Sequence, residues 1–307
     1  MTRTVLVTGA AGFVGRHTVT ELEKQGWDVT KCDIRYKGMG MSHMSDFNEV
    51  VTWNKKRYDL VIHAAAVAPH RAAIDGQPMT FAQNMQLDAA LFHWAMMTKQ
   101  KRVLYISSSA AYPVMAQTED RFGWRLAEDE IDLQYPELAD GNYGITKLTG
   151  EHLAKAAREV DVPVTVVRPF SGYGEDQGTD WPFGAFVQRI RNGDDPFVIW
   201  GNTMQRRDWI HIDDVVKGML KIVEQQENNE VVDGEPVNLC TGQCTAMGDL
   251  VMLMAQATGR SQLRIIVDNT KPMGVMNRVG DPTRFFEYYE PKVTIEEGVF
   301  RALGRKD

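Results

Sequence analysis

Cysteine is scarce in this chain. There are three in 307 residues, Cys32, Cys240 and Cys244, and an odd, sparse set is not a disulfide framework. Cys240 and Cys244 stand four apart, but no second pair of Cys or His follows at zinc spacing. No metal site is expected, and the thiols read as small buried side chains. No apolar run is long enough to cross a bilayer, and Met1-Thr2-Arg3 leads directly into an apolar stretch without the pattern of a signal peptide. A cytoplasmic protein with no membrane partner is the expectation. There is no excess of positive charge: 34 Lys and Arg stand against 41 Asp and Glu, a balance of −7. That composition favours solubility and gives no nucleic-acid surface. Internal repeats and low-complexity tracts are absent as well.

What is present is an alternation. Short segments at 4–7, 27–32, 60–62, 103–106 and 164–167 read as strands. Helical spacing at 13–24, 81–97 and 144–160 falls between them, with a shorter helix at 46–53 and a loop at 36–45. Buried strands separated by helices mean βαβ units and a parallel, doubly wound sheet, whose ligands bind beyond the carboxyl ends of the strands. After residue 168 the pattern loosens. Residues 169–181, rich in Gly, Asp and Pro, read as a loop. Helices follow at 182–192, 212–224 and 246–258, strands at 197–200 and 237–239, and a polar break at 225–229. The expected division is a Rossmann domain over 1–168, with 208–240 returning to it, and a smaller mixed lobe from 169–207 and 241–307 that binds substrate.

The first strand runs into Gly9-Ala10-Ala11-Gly12-Phe13-Val14-Gly15. Glycine allows a sharp turn and lets backbone approach a pyrophosphate, and the helix that follows offers N–H donors and the positive end of its dipole. The spacing is GxxGxxG rather than GxGxxG. Asp33 closes the second strand 18 residues after Gly15. A carboxylate there accepts hydrogen bonds from the adenosine ribose and repels a 2′-phosphate, so NAD is expected over NADP. Arg35, two residues on, argues the other way. Asp46 reads equally as a contact to adenine and as a helix N-cap.

Tyr143 and Lys147 lie four apart at the start of a predicted helix and share a face. An ammonium beside a phenol, together with an oxidised nicotinamide, favours the phenolate. Such a tyrosine can exchange a proton with a sugar hydroxyl while the nicotinamide exchanges hydride. The fourth strand ends in Ser107-Ser108-Ser109, where a hydroxyl can hydrogen-bond the reacting oxygen. His63, before the alanine run, reads as a packed residue. Phe183 and Phe186 read as packing of the smaller lobe.

In this order, TGAAGFVG (8–15), DLVIHAAA (59–66), YISSSAAYP (105–113), YGITK (143–147), RPFSGYG (168–174) and RRDWIHIDDVV (206–216) resemble the extended short-chain dehydrogenase/reductases, the NAD-dependent epimerases and dehydratases of nucleotide sugars. The likeness runs from residue 4 to about 300. It implies Tyr143 as catalytic acid/base, Lys147 as its partner and Ser108 as the catalytic hydroxyl, with Ser109 as the alternative. It also implies Ala64, Ala65 and Ala66 along the cofactor pyrophosphate and Asn84 on the nicotinamide side. Arg207 and Arg278 would clamp the substrate diphosphate, for which the guanidinium fork is suited. Ser171 stands where the family carries Asn and would be a shorter diphosphate ligand. A homodimer formed through the helices at 81–97 and 144–160 is the implied assembly.

The dehydratase and decarboxylase branches carry acidic residues just after the catalytic hydroxyl. Ser109 and Ala110 stand there instead, which disfavours both branches. The expected activity is nucleotide-sugar epimerisation, at C4, by transient hydride transfer to bound NAD. A sugar dehydrogenase or ketoreductase with net cofactor turnover is the alternative. A non-catalytic NAD sensor is a third reading, against which the intact Ser108, Tyr143 and Lys147 argue.

Overall fold

The computed structural model describes residues 2–36, 43–44, 51, 54–67, 78–135, 138–228, 234–271 and 273–304. Asp46, and with it most of the helix expected at 46–53, lies outside the described residues. Seven parallel strands form the main sheet: β1 (Thr4–Thr8), β2 (Asp28–Cys32), β3 (His43–Met44), β4 (Leu60–His63), β5 (Val103–Ile106), β6 (Val164–Pro169) and, far along the chain, Val237–Leu239. Their order is Val237–Leu239, β6, β5, β4, β1, β2, β3. The chain winds outward from β1 in one direction and then from β4 in the other. The switch point is therefore the crevice between the ends of β1 and β4.

Alternate residues of each strand serve opposite faces. Val5 and Val7 of β1, with Ile62, Leu104 and Val167, pack beneath helix α1 (Phe13–Lys24) and the helix Ile212–Glu227. Leu6, Val61, Val103, Tyr105 and Val166 face the other way, against α2 (Pro78–Thr98) and α3 (Gly141–Glu159) through Leu91, Phe92, Trp94 and Ala154. Every residue of β4 and β5 is buried. Burial on both faces is why these strands read as unbroken apolar runs.

The smaller lobe is built on α4 (Pro182–Asn192), β8 (Phe197–Trp200) and the helix Met247–Ala257, around Phe183, Phe186, Ile190, Leu250 and Met254. Around them lie short pairings the sequence does not announce. β7 (Ser171–Tyr173) falls inside the stretch expected to be a loop and pairs in parallel with Trp209–His211, which takes β7 out of irregular backbone. β9 (Arg206–Arg207) pairs with Thr245–Ala246 on one side and Asn277–Arg278 on the other. Ile265–Asp268 pairs with β8.

Helix ends differ from expectation for local reasons. The helix from Ile212 continues to Glu227 rather than ending at 224. Gln226 is buried: its Oε1 accepts the Thr165 hydroxyl and its carbonyl accepts Arg102. Two further helices, Thr283–Phe286 and Ile295–Leu303, close the chain, the second capped by the Thr294 hydroxyl accepting the Glu297 N–H. Cys32 and Cys240 are buried as expected, but Cys244 is exposed. No described helix is long and apolar enough to cross a membrane.

Candidate active site

Gly9 leaves β1 with φ +69°, in the left-handed region. A Cβ on it would stand 2.6 Å from the carbonyl of Ala64 and the amide of Ala65, the loop that leaves β4. A Cβ on Gly15 would meet the Gly9 oxygen at 2.0 Å. The first and last glycines are thus demanded by the way the turn folds onto itself and onto the neighbouring strand end. Gly12 is the N-cap of α1 and brings no side chain to cap it, so the first-turn N–H groups around Phe13 and Val14 lack that partner. A backbone cradle at a bare helix N-terminus, at the switch point, fits a dinucleotide pyrophosphate.

Asp33 lies 9% exposed at the same end of the sheet. Its Oδ2 accepts the Ala11 N–H at 3.0 Å, and its Oδ1 accepts the Arg35 N–H at 2.9 Å and Nε at 3.1 Å. Burial works against its charge, but Arg35 and the two amides outweigh it and hold the carboxyl below its ordinary range. Arg35 also lies beside the turn, its Nη2 3.8 Å from where a Gly12 Cβ would be. Ala64, Ala65 and Ala66 are half-buried opposite Gly9. Asn84 is 3% exposed and spends its amide on Val67, accepting the N–H at 2.8 Å and donating to the carbonyl at 2.8 Å. It fixes the loop beyond the alanines.

Tyr143 sits in the first turn of α3, half-buried. Lys147, one turn on and 4% exposed, donates from Nζ to the Ile106 carbonyl at 2.9 Å. The same Nζ is 5.7 Å from the centre of the Tyr143 ring and 5.1 Å from that of Tyr105. Ile106 is the last residue of β5, so the lysine ties the helix to the strand end from which the serines follow. A Cβ on Gly144 would fall 2.3 Å from the Ala110 oxygen, which measures how closely α3 rests on that turn.

The three serines divide by environment. Ser107 donates to Glu151 Oε1 at 2.6 Å, and Ser109 is buried. Ser108 is half-buried, its oxygen accepting the Ala110 N–H at 3.1 Å. Neither Ser109 nor Ala110 supplies a carboxylate.

Of the residues expected to contact substrate, Ser171 is half-buried and its N–H donates to the Asp208 carbonyl at 2.9 Å. Arg207 and Arg278 are register partners across β9 and Asn277–Arg278. Arg207 donates from Nη1 to the Val275 and Arg206 carbonyls at 2.9 Å and 2.7 Å. Arg278 is engaged elsewhere, with Nη2 on Asp140 Oδ2 at 2.6 Å and Nε on Gln117 Oε1 at 2.6 Å. It ties the lobe to the residue that precedes the Tyr143 helix. Sequence reasoning passed over Asp140. It also passed over Asp208, which is fully buried and accepts the N–H and hydroxyl of Thr241 and the Gly242 N–H. Asp208 stands inside the RRDWIHIDDVV segment, and Asp140 three residues before Tyr143.

The strand order, the glycine cradle and the Tyr143–Lys147 pair occur together, and a family model describing the NAD dependent epimerase/dehydratase family matches residues 5–240. The chain belongs to that family. Its cofactor, NAD, is the group the cradle fits. The chain is 26% identical over 331 residues to a UDP-N-acetyl-alpha-D-glucosaminuronate decarboxylase of Bacillus cytotoxicus, covering 97% of this chain and 96% of that protein. It is 26% identical over 310 residues to a dTDP-4-dehydro-6-deoxy-D-allose reductase of a Streptomyces species, covering 93% and 90%. The UDP-glucose 4-epimerase of Thermotoga maritima, solved with UDP-glucose, has the same fold, with a TM-score of 0.81 at 24% identity over 98% of this chain and 96% of that one. Family relatives thus include epimerases, decarboxylases and reductases.

Proposed function

We propose that this family member is a nucleotide-sugar epimerase acting at C4 with tightly held NAD. The observation that carries the reading is the tether of Lys147 to the Ile106 carbonyl, which gathers Tyr143 and Ser108 at the sheet end that also holds the Gly9 cradle. In this reading Tyr143 takes the proton from the sugar hydroxyl and later returns it. Lys147 stabilises the phenolate, and Ser108 donates to the reacting oxygen. NAD, when bound, supplies reversible hydride acceptance. Expelling water or carbon dioxide would call on further acid–base groups. Ser109 and Ala110 do not provide them, whereas epimerisation needs none beyond Tyr143 and Ser108. Arg207 and Ser171 are the proposed diphosphate contacts, and Asp33 with the cradle the proposed cofactor contacts. Arg278, already holding Asp140, would act on the nucleotide chiefly by fixing the lobe.

The test is incubation of the NAD-loaded protein with UDP-, GDP- and dTDP-sugars, read by NMR for a new sugar. The C4 epimer is expected, and Tyr143→Phe should abolish it. No conversion of any nucleotide sugar by NAD-bound protein would overturn the reading. The reductase among the relatives, and Ser171 in place of Asn, favour a second reading: a ketoreductase with net cofactor turnover. A progressive change in nicotinamide absorbance during turnover separates the two, since an epimerase gives none.

A further inference from the structure

Behind the Tyr143–Lys147 pair lies a buried polar cluster that the chemistry above leaves unused. Asp88, on α2, is 3% exposed. Its Oδ1 is 3.0 Å from His63 Nε2, and its Oδ2 accepts the Tyr105 hydroxyl at 2.6 Å. His63 Nδ1 is 2.7 Å from Thr8 Oγ1, which accepts the Ala65 N–H at 3.4 Å. An ionised carboxylate only accepts, so His63 donates to it from Nε2. Burial, followed by the Asp88 charge, holds the Tyr105 hydroxyl far above its ordinary range, so it remains a donor.

A buried charge needs an opposite charge. Glu151, the other buried acid nearby on α3, is matched by Arg168 of β6. Asp88 is matched by Lys147: burial raises its carboxyl, but Lys147 is the largest of the opposing influences, and the balance falls below the ordinary value. The packing brings them together. A Cβ on Gly150 would stand 1.8 Å from the Tyr105 hydroxyl and 2.8 Å from Asp88 Oδ2. The α3 backbone therefore lies against the cluster three residues beyond Lys147, whose Nζ sits over the Tyr105 ring. Among the described residues, the titratable groups around Asp88 and Lys147 are His63 of β4, Tyr105 of β5, and Tyr143 and Glu151 of α3.

We propose that Asp88 is a positioning residue, whose buried charge keeps the proton shared by the catalytic pair on Lys147 rather than on Tyr143, with His63 and Tyr105 orienting its carboxylate. This rests on the catalytic reading of Tyr143. The experiment is a pH titration of the phenolate absorbance of NAD-bound wild type, Asp88→Asn and Tyr143→Phe. Subtracting the Tyr143→Phe trace isolates the signal of Tyr143. Asparagine keeps the shape and removes the charge, its Oδ1 accepting from His63 and its amide nitrogen donating to the Tyr105 oxygen. The ratio of Tyr143 phenolate to phenol at a given pH should fall about tenfold, one unit of proton affinity, and kcat should fall with KM held. A Tyr143 signal that superimposes on wild type, or forms at lower pH, overturns the proposal. A wild-type trace identical to that of Tyr143→Phe sinks the catalytic reading first and this inference with it. If Asp88→Asn does not fold, Asp88→Ser removes the same charge with a smaller polar side chain; the Tyr143 signal should move the same way, and no movement overturns the proposal.

Discussion

Arg168 grips Glu151 with both arms of its guanidinium, Nε to Oε1 at 2.9 Å and Nη2 to Oε2 at 2.7 Å, each side chain 3% exposed. The pair fastens β6 to α3 one turn beyond Lys147, and Ser107 joins it from the end of β5. Removing one partner strands a buried charge, which costs about 3–5 kcal/mol. Glu151→Ala should lower the free energy of unfolding by that amount in urea titrations. Replacing both residues by methionine should recover most of the loss, since the apolar pair leaves no charge behind.

Gly9→Ala acts on the cofactor. The substitution forces an L residue to φ +69°, at about 1–2 kcal/mol, and drives its methyl into the loop of Ala64 and Ala65. The expected result is a folded protein, by circular dichroism, whose affinity for NAD falls at least about tenfold, equivalent to about 1.4 kcal/mol. Calorimetric titration with NAD checks it.

Asp59 gives a pH dependence of stability. Lys101 and the Thr4 amide and hydroxyl hold its carboxyl down to about 2. Its folded value is lower than its unfolded one, so its stabilisation is present above about pH 4 and is lost as pH falls through about 2. The group is partly exposed, and solvent screening leaves about 1 kcal/mol at neutral pH. Asp59→Asn should cost that much at pH 7. The gap between the two unfolding curves should close as the pH is lowered to about 2.

Arg207→Lys tests the diphosphate contact. A point charge replaces a planar fork, so two-point recognition is lost while the charge stays. With whichever nucleotide sugar is turned over, KM should rise about tenfold and kcat should hold, the mark of binding that is uniform along the reaction. An unchanged KM would remove Arg207 from the proposed contacts.

How far the sequence could be read follows from how each element earns its place. β1, β4, β5 and β6 are buried on both faces and so are written as apolar runs. The glycine turn and the YxxxK spacing are local, and local geometry alone makes their residues neighbours. Arg206–Arg207 and Asn277–Arg278 are two-residue polar strands that form only by pairing with segments distant in sequence, and no periodicity marks them. The engagement of Arg278 by Asp140, and of Asp88 by His63 and Tyr105, joins residues on different elements. Each partner looks like an ordinary charged or polar residue until the fold closes. The last helix is legible in the sequence, since Ile295, Val299 and Ala302 repeat at helical spacing behind a Thr294 cap.

The outermost strand beside β6 bears on synthesis. β6 is complete by Pro169, yet the strand that covers its outer edge begins at Val237, after the first part of the smaller lobe has been made. A growing chain halted between these points would hold a long sheet with an open row of backbone donors and acceptors, the kind of edge on which chains stack together. Truncations ending before residue 237 should therefore collect as aggregates. Those that retain Val237–Leu239 close that flank.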